Sequence, residues 1–146
     1  MFLYTIGYEG RTLHQLMKSL AYYSVDTVVD VREKAGSRNR DFNKRRLRQH
    51  LEGEYIKYIH IPQMGTPKPL RKELKSTGDY QKFFAEIENL LQGKSEELAQ
   101  ILKLIESGRK VALLCLEKDH NKCHRSVVAK LVSEKSDNGI RIMPIL

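Results

Sequence analysis

Two cysteines and a histidine in the last third of the sequence are the side chains best suited to nucleophilic chemistry. Cys123, His124 and Arg125 are consecutive, and they follow a strongly apolar segment that contains Cys115. A thiol at a helix start, next to a histidine and an arginine, has a lowered pKa. The pattern therefore predicts that Cys123 acts as a nucleophile or an anion contact, with His124 beside it as an acid or base.

Spacing restricts the kind of cysteine chemistry. A phosphatase-type or rhodanese-type loop needs Cys-x5-Arg, but Asn121 stands six positions after Cys115. Cys115, Cys123 and His124 are three candidate zinc ligands, but the sequence has no Cys-x2-Cys pair and no second ligand cluster, so no metal is predicted. A Cys115–Cys123 redox pair stays open, as does a structural role in which His124 is hydrogen-bonded in the core.

Polar residues also follow other apolar segments. The turn Gly7–Thr12 leads into a helix start, where free backbone N–H groups and the helix dipole favour an anion. Asp30 and Arg32 end a second segment, where the carboxylate could orient another group, act as a base or pair with the arginine. Ser37 and Arg38 suit a phosphate or carboxylate, because a guanidinium group holds two oxygens.

These segment ends define one predicted site. The predicted catalytic residues are Asp30, Glu117, Cys123 and His124. The predicted ligand-binding residues are Gly7, Tyr8, Glu9, Gly10, Arg11, Arg32, Ser37, Arg38, His60, Cys115 and Arg125. The sequence does not identify a cofactor.

The elements that must position these residues alternate along the chain. Strands are predicted at Phe2–Ile6, Thr27–Val31, Tyr55–Ile61, Val111–Leu116 and Ile140–Ile145. Helices are predicted at Thr12–Leu20, Asp41–Glu52 and Cys123–Ser133, with two more over 80–91 and 98–105. A loop that can hold a short helical turn is predicted at Gln63–Lys75. This order predicts a single α/β domain over 1–146, with a mostly parallel sheet of about five strands and helices on both faces. The carboxyl ends of such strands meet at one edge, where ligands bind.

Composition limits the partners. The net charge of +8 attracts phosphates and polyanions, and eight of the bases but only two acids lie between Arg32 and Arg48. That stretch is either a solvated helix face or an electrostatic funnel toward a phosphate-bearing ligand. No apolar run approaches the roughly 18 residues of a membrane span, so no membrane partner is expected. Two cysteines without a signal-peptide pattern predict free thiols in the cytoplasm.

Several strings together resemble a known family. TIGYEGRT, VVDVRE, YIHIP, DYQKFF, LLCLE and CHRS follow one another between Thr5 and Ala129, and they resemble the family catalogued as domain of unknown function 488, DUF488. The resemblance implies a small α/β domain with no established activity. It also implies that Phe42 and most of the predicted site residues are positions characteristic of the family. Ala35 departs from the family's usual proline. Met64-Gly65-Thr66 replaces the usual Leu-Gly-Gly, which bears on the shape of the third loop.

Three functions are consistent with these observations. The first is an enzyme on a phosphate-bearing small molecule or nucleotide, held by four arginines, Arg11, Arg32, Arg38 and Arg125. The second is a nucleic-acid-binding module that uses the basic stretch 38–48, with Tyr8 or Phe42 stacking on a base. The third is a sensor that holds its ligand without turnover. The sequence predicts no oligomeric state.

Overall fold

The computed structural model describes residues 1–146, and its strands and helices alternate as the sequence predicts. The strands are β1 Phe2–Gly7, β2 Thr27–Asp30, β3 Lys57–His60, β4 Val111–Cys115 and β5 Arg141–Ile145. The helices are α1 Leu13–Tyr22, α2 Lys44–Gly53, α3 Lys68–Thr77, α4 Tyr80–Gln92, α5 Ser95–Glu106 and α6 Arg125–Lys135. Three short 3₁₀ turns lie at Arg40–Phe42, Pro62–Met64 and His120–Lys122. None of the helices combines the length and apolar character that crossing a membrane requires.

The five strands form one sheet in the order β3-β2-β4-β1-β5, and every neighbouring pair is parallel. The predicted parallel α/β domain is therefore confirmed. The registers bring the strand ends level: Gly7 lies opposite Cys115, and Asp30 lies opposite His60. The segments that follow all five strands consequently leave the sheet at the same edge.

Two apolar cores cover the two faces of the sheet. The α1 and α2 helices pack on one face, and α4, α5 and α6 pack on the other. The central strand β4 is buried along its whole length, as its continuous apolar run predicts. Its side chains alternate between the two faces. Leu114 belongs to the first core, under α1 and α2, whereas Leu113 and Cys115 belong to the second core, under α4, α5 and α6. The Cys115 thiol is thereby directed to the face that α6 covers.

The segment predicted as the loop Gln63–Lys75 contains more structure than expected. It holds the last part of a 3₁₀ turn and most of the ten-residue helix α3. Two prolines suggested a loop, but Pro67 precedes the helix and Pro69 lies in its first turn, where a missing N–H is tolerated. Leu70 and Leu74, one turn apart, supply the apolar face that packs against the second core.

The first helix begins where the sequence predicts. The Thr12 hydroxyl accepts a hydrogen bond from the backbone N–H of Gln15, and the Gln15 side chain accepts one from the N–H of Thr12. This capping box satisfies two of the free donors at the helix start. It fixes the turn between β1 and α1 and hence the position of the residues that follow β1.

Gly65 allows the loop after β3 to pass closely over the residue that follows Arg32. A Cβ atom at Gly65 would overlap the backbone nitrogen and Cα of Glu33. We expect Gly65→Ala to lower the free energy of unfolding by about 1–3 kcal/mol, the range typical of overpacking. Gly53→Ala is the matched control, because no atom lies within 4 Å of a Cβ there. Urea unfolding followed by circular dichroism measures both; equal stability of the two variants would contradict this close approach.

Candidate functional site

A cavity of about 560 Å³ opens at the carboxyl edge of the sheet. Its volume lies within the range typical of small-molecule sites. Five of the residues predicted from sequence line it, namely Tyr8, Arg32, Cys115, Glu117 and His124. These come from the ends of β1, β2 and β4 and from the start of α6, so residues distant in the chain share one cavity.

A buried ion pair forms one wall of this cavity. The Arg32 guanidinium donates to both carboxylate oxygens of Asp30, from Nε at 2.9 Å and from Nη2 at 2.7 Å. Its Nη1 also donates to the carbonyl of Phe42 at 2.8 Å and to the Tyr8 hydroxyl at 3.2 Å. The Tyr58 hydroxyl donates to Asp30 at 2.5 Å. Among the roles open to Asp30, the structure shows pairing with the arginine.

The ion pair accounts for the electrostatics of this wall. Burial lowers the pKa of Arg32, but the hydrogen bonds and charge of Asp30 outweigh burial and raise it. Burial and the charge of Asp30 also raise the pKa of Tyr58. The positive charge of Arg32 is thus committed to Asp30 rather than free for a ligand.

The aromatic residues considered for base stacking are mostly buried. Tyr8 and Phe42 have exposed fractions of 5% and 1%. Their rings stack on each other, with centroids 4.5 Å apart and an interplanar angle of 17°. One face of each ring is therefore covered by the other ring, and little ring surface is left for a nucleic-acid base.

Two further arginines hold backbone carbonyls beside the cavity. Arg11 donates to the carbonyls of Gly7 and Ile145, at 3.0 and 3.3 Å, and does not line the cavity. Arg125 is buried and donates to the carbonyls of Glu117 and Lys118. A Cβ at Gly7 would overlap the Glu117 carbonyl, so glycine is needed where the loop after β4 crosses the end of β1. These arginines connect loops at the sheet edge.

Cys115 and His124 lie at the floor of the cavity, and the Cys123 thiol lies beside His124 outside the cavity lining. The Nδ1 atom of His124 lies 3.8 Å from Cys115 Sγ and 3.9 Å from Cys123 Sγ. Glu117 Oε2 lies 3.5 Å from Cys115 Sγ. His124 Nε2 lies 2.7 Å from the carbonyl of Val31, which only accepts, so Nε2 carries a proton and donates it. This contact directs the His124 ring toward the end of β2.

The two buried thiols differ in acidity. Burial raises the pKa of Cys123, but hydrogen bonds from Cys115 and His124 and the charge of Arg125 outweigh it and lower the pKa. The hydrogen bond to Cys123, together with burial, raises the pKa of Cys115. Burial, and then the negative charge of Cys123, raises the pKa of Glu117 to about 7. These groups can therefore hold or exchange protons, or provide donors to a metal.

Other predicted site residues lie at the same edge but outside the cavity. Glu9 accepts a hydrogen bond from the backbone N–H of Lys118 at 3.0 Å. The Ser37 hydroxyl accepts one from the N–H of Asn39, and His60 Nε2 donates to the carbonyl of Arg32 at 2.7 Å. The remaining residues that do not line the cavity are Gly7, Gly10, Arg11, Asp30, Arg38, Cys123 and Arg125.

The basic residues of the cavity rim are not among the predicted site residues. Lys34, Lys75 and Lys122 line the cavity, together with Arg71. Lys122 directly precedes Cys123, and Lys34 lies two positions after Arg32, which was the available signal. Arg71 and Lys75 lie on α3 and could not be placed while that segment was predicted as a loop.

Comparisons with known proteins identify one match. A sequence model of the family described as "Domain of unknown function DUF488" matches residues 12–132. No curated protein and no solved structure shows a significant match.

The Asp30–Arg32 pair should dominate the stability of this edge. Asp30→Ala leaves a buried guanidinium without its counter-charge, and we expect a loss of about 3–5 kcal/mol in the free energy of unfolding. Tyr58→Phe removes one hydrogen bond to the carboxylate and should lose only about 1–3 kcal/mol. Urea unfolding compares the two variants. A smaller loss for Asp30→Ala than for Tyr58→Phe would show that the ion pair is not the main anchor.

Proposed function

The chain belongs to the DUF488 family, and because that family's description assigns no reaction, we propose a function from the cavity. The cavity binds a small anionic ligand of the phosphate or nucleotide type. The basic rim carries this proposal: Lys34, Lys75 and Lys122 line the cavity and take part in none of the ion pairs of the chain. Their ammonium groups remain free to contact an anion.

The charges around the cavity favour a negative ligand. Arg71 adds a fourth basic group to the rim, although it is shared with Glu33 at 3.2 Å. Lys122 Nζ lies 6.0 Å from the ring centroid of Tyr80, so an aromatic surface accompanies the cation. A ligand with a phosphate and an apolar or aromatic portion would use both features. The lining holds more basic groups than acids, which are Glu33 and Glu117, and an excess of positive charge in a cleft attracts negative ligands.

In this proposal the ligand is bound by lysines rather than by the arginines named in the sequence analysis. Arg11, Arg32 and Arg125 are occupied by backbone carbonyls or by Asp30. Lysine binds phosphate as a mobile point charge and needs no fixed fork geometry. The arginines position the loops, and the lysines on those loops and on α3 meet the anion.

Groups capable of chemistry face the same ligand from the floor. Cys115, Glu117 and His124 line the cavity. Asp30 and Cys123 lie behind them, so they act as positioning residues, through Arg32 and His124 respectively. If the protein is an enzyme, the groups that touch its substrate are therefore Cys115, Glu117 and His124, and turnover of the bound ligand separates an enzyme from a sensor.

Charge reversal of the rim tests ligand binding. The probes are inorganic phosphate, pyrophosphate, AMP and ATP, measured by thermal shift and isothermal titration calorimetry. At least one probe should bind the wild type. Combined Lys34→Glu, Lys75→Glu and Lys122→Glu should weaken that binding at least about tenfold, or roughly 1.4 kcal/mol. The lost attraction and the added repulsion both act at the cavity.

A matched variant controls for net charge. Combined Arg45→Glu, Arg46→Glu and Arg48→Glu changes the net charge by the same amount on α2, whose residues do not line the cavity. This control should keep its affinity. Absence of binding by every probe, or an equal loss in both variants, would contradict the proposed site. Loss confined to the α2 variant, with binding to single-stranded nucleic acid, would favour the nucleic-acid function instead.

A further inference from the structure

Three side chains at the cavity floor and one beside them, Cys123, bring soft and hard donor atoms together in a small volume. The Sγ atoms of Cys115 and Cys123 and a ring nitrogen of His124 all lie within 4.8 Å of one another. Glu117 Oε2 approaches this group at 3.5 Å from Cys115 Sγ. We infer that these residues form a binding site for one thiophilic divalent cation, with Zn²⁺ as the reference ion.

The separations between donors suit a tetrahedral ion. Bond lengths of about 2.3 Å to sulphur and about 2.0 Å to nitrogen or oxygen place neighbouring ligand atoms roughly 3.3–3.8 Å apart. The corresponding distances are 3.8 Å from His124 Nδ1 to Cys115 Sγ and 3.9 Å to Cys123 Sγ. The 3.5 Å from Glu117 to Cys115 falls inside this range, and the 3.9 Å from His124 to Cys123 lies slightly above it. Only small side-chain adjustments would be needed for ligation.

The orientation of His124 matches that of a metal ligand. Its Nε2 donates to the Val31 carbonyl at 2.7 Å, so the lone pair of the neutral imidazole lies on Nδ1. Metal-bound histidines usually donate their second ring N–H to a carbonyl or carboxylate, which fixes the ring. The structure thus supplies both the free donor atom and the outer hydrogen bond.

The charges of the site also balance with a divalent ion. Two thiolates and the Glu117 carboxylate carry three negative charges, of which the cation offsets two. Arg125 supplies the remaining positive charge, since its buried guanidinium donates to the backbone carbonyl of Glu117. A donor set of two thiolates and an imidazole favours zinc, cobalt or copper over magnesium or calcium.

The spacing of these ligands along the sequence does not match the usual zinc-binding motifs. Cys115 ends β4, whereas Cys123 and His124 directly precede α6, so seven residues separate the thiols. The His120–Lys122 turn brings the two segments back together, so the inferred site departs from the expectation of no metal. Because Cys115, Glu117 and His124 also line the cavity, a bound cation would face the proposed anion from below.

The test uses the full chain without an affinity tag. The reduced protein is stripped with a chelator, dialysed and titrated with Zn²⁺ and Co²⁺ in the absence of any anionic ligand. We expect one equivalent of either ion to bind, with Zn²⁺ displacing Co²⁺. The Co²⁺ complex should show thiolate-to-cobalt charge transfer and the intense visible absorption of a tetrahedral ion. This readout is independent of the lysine rim, so its failure is distinguishable from failure of the proposed function.

Variants assign the ligands. Cys123→Ser and His124→Asn should lose the charge-transfer band or the tetrahedral spectrum, whereas His50→Asn, which changes an exposed histidine on α2, should retain both. Glu117→Gln, less buried than the cysteines, keeps the assignment testable if a core variant does not fold. No stoichiometric binding by the reduced wild type would overturn the inference. Cobalt binding with an unchanged spectrum in folded Cys123→Ser or His124→Asn would do the same.

Discussion

The buried pair of Asp30 and Arg32 is the interaction on which the carboxyl edge of this protein depends. Both side chains are almost fully excluded from water, and a single guanidinium group contacts the end of β2, the Tyr8 hydroxyl and the Phe42 carbonyl. Tyr58 of β3 completes the shell around the carboxylate. Desolvation opposes such a pair, and it persists because every partner is satisfied. One wall of the cavity therefore has a fixed position.

The other basic side chains at this edge are of two kinds: arginines that hold backbone carbonyls, and lysines that are exposed at the cavity rim. Arg11 and Arg125 each hold backbone carbonyls and so connect the loops after β1 and β4 to the body of the domain. The lysines lie at the rim without ion-pair partners. This division follows from the chemistry of the two side chains, because a guanidinium fork can satisfy several fixed carbonyls whereas an ammonium group keeps its water and remains mobile. The result is a rigid cavity with an adaptable, positively charged rim.

Between these supports lies the cluster of two thiols, an imidazole and a carboxylate. Its members belong to the end of β4 and the start of α6, on the sheet face that α4, α5 and α6 cover. The proposed anion site and the inferred cation site share this floor but rest on different residues and different observations. The two sites together form a small, partly buried polar centre, with the thiol and imidazole donors at its floor and the unpaired lysines at its rim.

The pattern of apolar residues along the sequence predicted much of the fold. Continuous apolar runs marked the buried parallel strands, and helical periodicity marked most helices. The α3 helix was missed because Pro67 and Pro69 are helix-breaking residues in general, and only their positions at the first turn make them compatible with it. The polar residues that follow the strands were predicted to meet at one edge because parallel strands end together, and the parallel sheet brings the strand ends to one edge. The use of each arginine was not predictable, since a guanidinium suits a phosphate and a backbone carbonyl equally well.

The sequence by itself determined the type and order of the elements, because periodicity and capping are local properties of the chain. It also determined that Asp30, Cys115 and His124 would leave the sheet at one edge. Only the tertiary structure decided which of these groups line the cavity and which form ion pairs or hydrogen bonds inside the protein. Those outcomes depend on distances between segments far apart in the chain, such as His124 to Val31, and no local pattern encodes a distance of that kind.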